Sequence, residues 1–164
     1  MMSEKLQNCF NHAVLFANTH RHEFLCVETV LYSLLKEDQQ IVDLLLDCDV
    51  SIDQLNQELE VYLKEDENFS ILSEEEVEEM GELQFENQEV RKLAKSGGID
   101  YQPELALSLQ RILQRAAMHV QSSSKQHIQG INILIGIFSE KESFAYYLLD
   151  NAGVERIDIV DRVA

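Results

Sequence analysis

The feature that most constrains this chain is an internal repeat. A polar turn and apolar helix at residues 20–35 (HRHEFLCVETVLYSLL) return in diluted form at residues 125–138 (KQHIQGINILIGIF). The same offset aligns further apolar residues in pairs: Leu6 with Leu109, Cys9 with Ile112, Phe10 with Leu113, Ala13 with Ala116, Ala17 with Val120, Leu45 with Leu148 and Leu46 with Leu149. Chance matches do not keep one register over so long a stretch. The sequence therefore predicts a duplicated structural unit.

Each copy has the apolar spacing of helices rather than strands. Residues recurring at three and four predict four helices in the first copy and four in the second: 3–18, 27–35, 38–47 and 51–63, then 104–121, 130–138, 142–151 and 156–163. The second helix of the first copy is apolar on nearly every side, so we expect it to be the buried centre of its unit. The predicted fold class is all-α, with two pseudo-symmetric four-helix repeats packed into one compact domain. The first repeat is residues 1–63 and the second is residues 103–164.

Residues 64–102 lie between the repeats and form a strongly acidic segment. Ser73 and Glu76 have the spacing of a capping box, and Val77, Met80 and Leu83 follow on one edge. Asn87 suits the start of another short helix, which the glycines at 97 and 98 would end. A long structureless loop is uncommon inside a compact domain. We expect one or two short, loosely held helices with mobile flanks here.

The formal net charge of −17 excludes some classes of partner. Nucleic-acid binding requires a basic surface, and an anionic membrane would repel so acidic a chain. No apolar run approaches the length of a transmembrane helix. A partner with basic patches fits this charge, although charge for solubility accounts for it equally well. The odd set of three cysteines favours reduced thiols in the cytoplasm over a disulfide framework.

Motifs for catalysis are missing from the sequence. The six glycines never form a phosphate-binding P-loop, so no ATP hydrolysis and no cofactor are predicted for this fragment. His20, His22 and Glu23 are too close along the chain to complete a metal site without further ligands, and a surface turn is the favoured interpretation. Cys26 begins a helix, where thiolates can be stabilised. A small thiol or metal hydrolase is therefore the enzyme alternative, testable by thiol titration and elemental analysis.

Two stretches resemble a known family. The turn at residues 20–28 (HRHEFLCVE) and the helix at 107–123 (LSLQRILQRAAMHVQSS) are similar to the two Clp repeats that form the N-terminal domain of Clp/Hsp100 unfoldases, of the ClpA type. The resemblance covers about residues 1–63 and 104–164. It implies a compact pseudo-twofold module tethered to an AAA+ ring, which delivers unfolded substrates to the ClpP peptidase.

The resemblance also implies a site for a partner protein. In such domains a ClpS-type adaptor, which brings substrates with destabilising N-terminal residues, docks on acidic residues that correspond here to Glu23 and Glu28. The family contributes a threonine at the start of the fifth helix, where this sequence has Ala106. The acidic segment at 64–102 is longer than the family's usual linker and would either shield or extend the docking face. The alternative function is direct binding of unfolded protein substrates.

Overall fold

A computed structural model describes residues 1–163 and confirms an all-α fold. The first repeat contains helices α1 (Glu4–Thr19), α2 (Val27–Glu37), α3 (Gln39–Asp47) and α4 (Ile52–Leu63). The acidic segment contains a single 3-10 turn (Asp66–Asn68) and helices α5 (Glu74–Gln84) and α6 (Gln88–Ser96). The second repeat contains α7 (Leu107–Ser122), α8 (Gly130–Ile137), α9 (Phe144–Asn151) and α10 (Arg156–Val163).

Two very short strands, β1 (Phe24–Leu25) and β2 (Glu104–Leu105), pair in parallel across the repeats. The segment before α1 makes the matching contact, because Met2 bridges Ile128 in parallel. The amide of Ser3 donates to the carbonyl of Ile128 at 2.8 Å, and the amide of Ala106 donates to that of Leu25 at 3.0 Å. The start of each repeat thus pairs with the turn before the second helix of the other, as a pseudo-twofold arrangement requires.

The core lies where the second helices meet. Val27, Val30, Leu31 and Leu34 of α2 are fully buried, as are Ile133, Leu134 and Ile137 of α8. Helix α2 contacts α1, α3 and α4 of its own repeat and α8 and α9 of the other. The prediction that α2 is the buried centre of its unit is confirmed.

The repeat register predicted beyond the second helix is wrong by one residue. Leu46 is 51% exposed whereas Leu149 is fully buried, so the two are not equivalent. The amide of Val50 donates to Leu45, and that of Val154 donates to Leu149, each at 3.0 Å. Leu45 therefore corresponds to Leu149. The second repeat has one additional residue between α8 and α9, where the connecting segment is longer.

The acidic segment is held more firmly than its composition suggests. Tyr101 is fully buried, and its hydroxyl donates to the carbonyls of Ala17 at 3.0 Å and His22 at 2.6 Å. The side chain of Asn18 donates to the Tyr101 carbonyl and accepts from the Asp100 amide. Both predicted helices are present, but the expectation of a loosely held segment is wrong at this end. The predicted apolar edge of α5 is also incomplete, because Leu83 is 87% exposed.

No helix within residues 1–163 is both long enough and apolar enough to span a bilayer.

Candidate docking groove

The turn that precedes α2 lies between the acidic segment and the second repeat. On one side, the amide of Leu72 donates to the carbonyl of Arg21 at 2.8 Å, and that of Glu23 donates to Ser70 at 2.9 Å. On the other side, the amide of Glu104 donates to the carbonyl of Glu23 at 3.1 Å. Three segments that are distant in sequence therefore meet at this turn.

An open, mostly apolar groove of about 380 Å³ lies at this junction. We call it the docking groove; its lining residues are Phe24, Cys26, Asn68, Phe69, Ser70, Ala106 and Leu107. Leu107 is 69% exposed, although it belongs to the amphipathic helix α7. Exposed apolar side chains gathered in one concavity are typical of an interaction site.

Two helices begin in the docking groove without a side-chain cap. Cys26 is the N-cap of α2 and Ala106 is the N-cap of α7, and neither side chain accepts a hydrogen bond from its helix. A serine, threonine, aspartate or asparagine at such a position typically contributes about 1 kcal/mol. Because Cys26 and Ala106 are apolar, the wall of the groove is apolar, and both helices lack the stabilisation that a side-chain cap would contribute.

Glu23 lies beside the docking groove and is half-buried. Its carboxylate accepts a hydrogen bond from the hydroxyl of Ser70 at 2.7 Å, at an exposed position. Through the pairing of β1 with β2, the fold brings Glu23 and Ala106 to the same surface. The two predicted site residues therefore lie at the same groove, although no pattern in the sequence indicated that they are close in space.

Glu28 does not lie on this surface, although the resemblance places it with Glu23 in an adaptor site. It is only 6% exposed, and its carboxylate accepts a hydrogen bond from the amide of Ala145 at 3.0 Å. Burial raises the pKa of Glu28, and hydrogen bonds from the backbone at Ala145, at Glu28 itself and at Phe144 oppose the rise. The side chain connects α2 to the first turn of α9, so its direct effect is on how the repeats pack.

His22 is buried as well, and the interpretation of residues 20–23 as a surface turn is wrong at this position. The ring is fully buried and stacks on Phe69, with centroids 4.2 Å apart and planes 15° apart. Neither ring nitrogen has a hydrogen-bond partner within residues 1–163. Desolvation lowers the pKa of His22 to about 4, and the neighbouring His20 adds to the effect. A neutral His22 therefore positions Phe69, which lines the docking groove.

Cys9 and Cys26 have the wrong chemistry for a nucleophile. Burial raises the pKa of Cys26 to about 12 and that of Cys9 to about 11, so both thiols stay protonated at neutral pH. A nucleophilic cysteine requires a thiolate. Within residues 1–163, no three His, Cys, Asp or Glu side chains are placed to hold a metal ion.

Sequence reasoning missed the contribution of the acidic segment to the groove. Phe69 and Ser70 stand just beyond an exposed run of acids, and their apolar and small side chains interrupt its charge pattern. That break in composition was the available signal. Leu107 gave no signal, because a leucine at the start of an amphipathic helix is ordinary.

Comparison with a solved structure identifies the fold. The chain superposes on the Hsp104 N-terminal domain from Candida albicans with a TM-score of 0.68 and 10% sequence identity. The match covers 98% of this chain and 87% of that one. The fold is that of the N-terminal domain of an Hsp100 protein.

Sequence comparison assigns the family. Residues 1–152 match the Clp repeat (R) N-terminal domain, and the chain belongs to that family. It is 30% identical over 162 residues to a "ClpA homolog protein" of Fuscovulum blasticum. That alignment covers 99% of this chain but 17% of the relative. The chain is a Clp/Hsp100 N-domain.

Proposed function

We propose that this chain is the adaptor-docking module of a ClpA-like unfoldase that works with the ClpP peptidase in the cytoplasm. Its partner would be a ClpS-type adaptor that carries substrates with destabilising N-terminal residues. Residues 1–63 and 103–164 would be its two Clp repeats, and residues 64–102 an insertion that extends the docking face. The observation that carries the proposal is the exposed apolar docking groove beside the Glu23 carboxylate.

The groove supplies the two kinds of interaction that a docking site needs. Apolar surface from Phe24 and Leu107 is available for burial, and burial of such surface is the main source of affinity. Glu23 would orient a basic patch on the adaptor, although exposed ion pairs contribute little affinity by themselves. A tethered module that holds the adaptor would raise the concentration of substrate near the ring.

Two substitutions test this proposal against a purified ClpS-type adaptor. We expect Leu107→Ser and Glu23→Lys each to weaken adaptor binding by about tenfold, because central apolar contacts and steering charges dominate such interfaces. Fluorescence anisotropy of the labelled adaptor gives the affinity. Thermal unfolding should change little, since Leu107 is exposed and the Glu23 hydrogen bond lies at the surface.

Matched controls lie on the acidic segment. Leu93→Ser removes a leucine that is 75% exposed on α6, and Glu86→Lys reverses a charge at another exposed position. Both controls should bind the adaptor as the parent does. Equal affinity for the parent and the two groove variants would remove the docking groove from the site.

A further inference from the structure

The acidic segment borders the docking groove with a short extended stretch, residues 68–72, which we call the strap. It pairs antiparallel with residues 21–23. Both ends of the strap are fixed. At one end the side-chain amide of Asn68 donates to the carbonyl of Tyr62 at 3.0 Å, and at the other end Leu72 is buried. The side chains that the strap presents to the groove therefore have defined positions.

Ser70, in the middle of the strap, contacts Glu23 twice. Its carbonyl accepts a hydrogen bond from the Glu23 amide at 2.9 Å, and its hydroxyl donates to the Oε1 atom of the Glu23 carboxylate at 2.7 Å. The backbone contact fixes where the two residues lie relative to each other. The hydroxyl contact restricts rotation of the long Glu23 side chain. An ionised carboxylate accepts several hydrogen bonds, so Glu23 keeps the capacity to bind a donor on another molecule.

The charge of Glu23 is not compensated by a cation of its own chain. Glu60 is paired with Lys64 and Glu78 with Arg91, but no ion pair of Glu23 is present within residues 1–163. A serine hydroxyl orients a carboxylate without neutralising it, whereas a lysine or arginine would do both. Glu23 is thus an oriented carboxylate that is open to a charge-assisted hydrogen bond with a partner.

We propose that Ser70 is a positioning residue for docking, which holds the Glu23 carboxylate in one orientation so that a cationic side chain of the adaptor is paired without rearrangement. This inference rests on the proposed docking function and states how the acidic segment acts in it. A free glutamate side chain loses conformational freedom when it is fixed in an interface. Because Ser70 fixes Glu23 before the adaptor arrives, less freedom is lost on binding.

The experiment is a double-mutant cycle on the 164-residue chain, with the affinity for a purified ClpS-type adaptor measured by fluorescence anisotropy. Ser70→Ala should weaken binding by about threefold to fivefold, because the Glu23 side chain becomes free to rotate. The same substitution should have no further effect when Glu23 is already replaced by alanine, since no carboxylate is left to hold. Ser70→Thr keeps a hydroxyl and should bind within about twofold of the parent.

Ser96→Ala is the matched control. The hydroxyl of Ser96 also donates within the acidic segment, to the carbonyl of Leu93 at 2.6 Å, but Ser96 does not line the docking groove. This variant should bind the adaptor as the parent does. Thermal unfolding of Ser70→Ala should also match the parent, because Ser70 is exposed and the backbone contacts of the strap remain. Lower affinity together with a lower melting temperature, neither restored in Ser70→Thr, would overturn the positioning role.

The results separate this inference from the proposed function. If Glu23→Ala weakens binding and Ser70→Ala does not, the positioning role is overturned and the docking groove remains the site. If the effects of the two substitutions multiply, Ser70 contacts the adaptor by itself, which also overturns the positioning role. If neither Glu23→Ala nor Leu107→Ser weakens binding, the proposed function fails and this inference fails with it.

Discussion

The two turns that precede α2 and α8 occupy equivalent places in the two repeats, yet only the first borders the docking groove. Four lining residues of that groove can be compared with their counterparts at the second turn. Phe24, Cys26, Ala106 and Leu107 correspond to His127, Gln129, Ser3 and Glu4. Each of these apolar side chains has a polar counterpart in the other repeat. The duplicated fold therefore supplies the framework at both places, and the surface at the first turn is the apolar one.

Helix capping shows the same difference. Ser3 caps α1 by accepting from the amide of Leu6 at 3.2 Å, and at the start of α8 the side chain of Asn132 accepts from the amide of Gln129 at 2.8 Å. The corresponding caps at the docking groove, Ala106 and Cys26, make no such bond. Departures from local rules are expected at functional sites, where stability is exchanged for a binding surface.

A third difference concerns ion pairs. Glu140 is 6% exposed and accepts from Arg111 and Arg115, each at 2.7 Å, and these guanidinium groups lower the pKa of its carboxyl. Its counterpart Glu37 contacts His12 at 3.1 Å, where both side chains are largely exposed. The second repeat is held by a stronger polar contact at the same place. The first repeat instead uses Glu28 to hold α9.

The largest effect should come from the core that both repeats share. Leu31→Ala should reduce the free energy of unfolding by roughly 2–5 kcal/mol, because a fully buried leucine leaves a cavity. Leu134→Ala, at the equivalent place in α8, should cost a similar amount. Chemical denaturation measures both. A loss below about half a kcal/mol for either would contradict the symmetric core.

The next effect is a pH dependence that belongs to the first turn alone. The pKa of His22 falls from 6.5 to about 4 on folding, so the unfolded chain takes up the proton first as the pH drops. The contribution of His22 to stability should decrease by roughly 3 kcal/mol between pH 6.5 and pH 4 and level off below that. His22→Phe should abolish this contribution, which denaturation at several pH values measures. His127→Phe, in the second turn, should retain the full loss.

A smaller effect separates the structural role of Glu28 from docking. Glu28→Ala leaves the buried amide of Ala145 without an acceptor and should cost about 1–3 kcal/mol. Glu28→Gln keeps an acceptor oxygen and should stay within about 1 kcal/mol of the parent. Thermal unfolding measures stability, and anisotropy measures adaptor binding. If Glu28→Gln bound the adaptor as weakly as Glu23→Lys while remaining folded, Glu28 would act in docking itself.

The smallest effect on stability should come from substitutions that exchange the N-cap residues of α1 and α7. Ala106→Ser should stabilise the domain by about 0.5–1 kcal/mol, and Ser3→Ala should destabilise it by a similar amount. Ala106→Ser also places a hydroxyl where the family carries that of a threonine, so adaptor affinity should be kept while stability rises. Parallel unfolding and anisotropy measurements test the exchange. Loss of stability in Ala106→Ser would mean that the groove position cannot accept a cap.

Much of the fold could be predicted because it depends on local spacing. The recurrence of Leu6, Cys9, Phe10 and Ala13 predicted α1, and both helices of the acidic segment followed from the caps Ser73 and Asn87. The register after α8 could not be predicted. Adjacent leucines satisfy two alignments equally well in the sequence. Only the matching backbone hydrogen bonds from Val50 to Leu45 and from Val154 to Leu149 identify Leu149 as the partner of Leu45.

The candidate site, like the fold, could be predicted only in part. Short motifs in the sequence pointed to Glu23 and Ala106. Their position at one groove depends on the pairing of β1 with β2, and strands of two residues are too short to show a periodic pattern in the sequence. Burial of His22 and Glu28 likewise depends on Phe69 and α9, which lie far away along the chain.

The sequence by itself determined that this protein is an all-α duplication. Apolar periodicity and helix capping act over a few residues, so both can be recognised directly in the sequence. Only the tertiary structure decided which acids face solvent and which turn borders a groove. Those properties arise where distant segments meet, and the energy of such a contact depends on partners that no local pattern names.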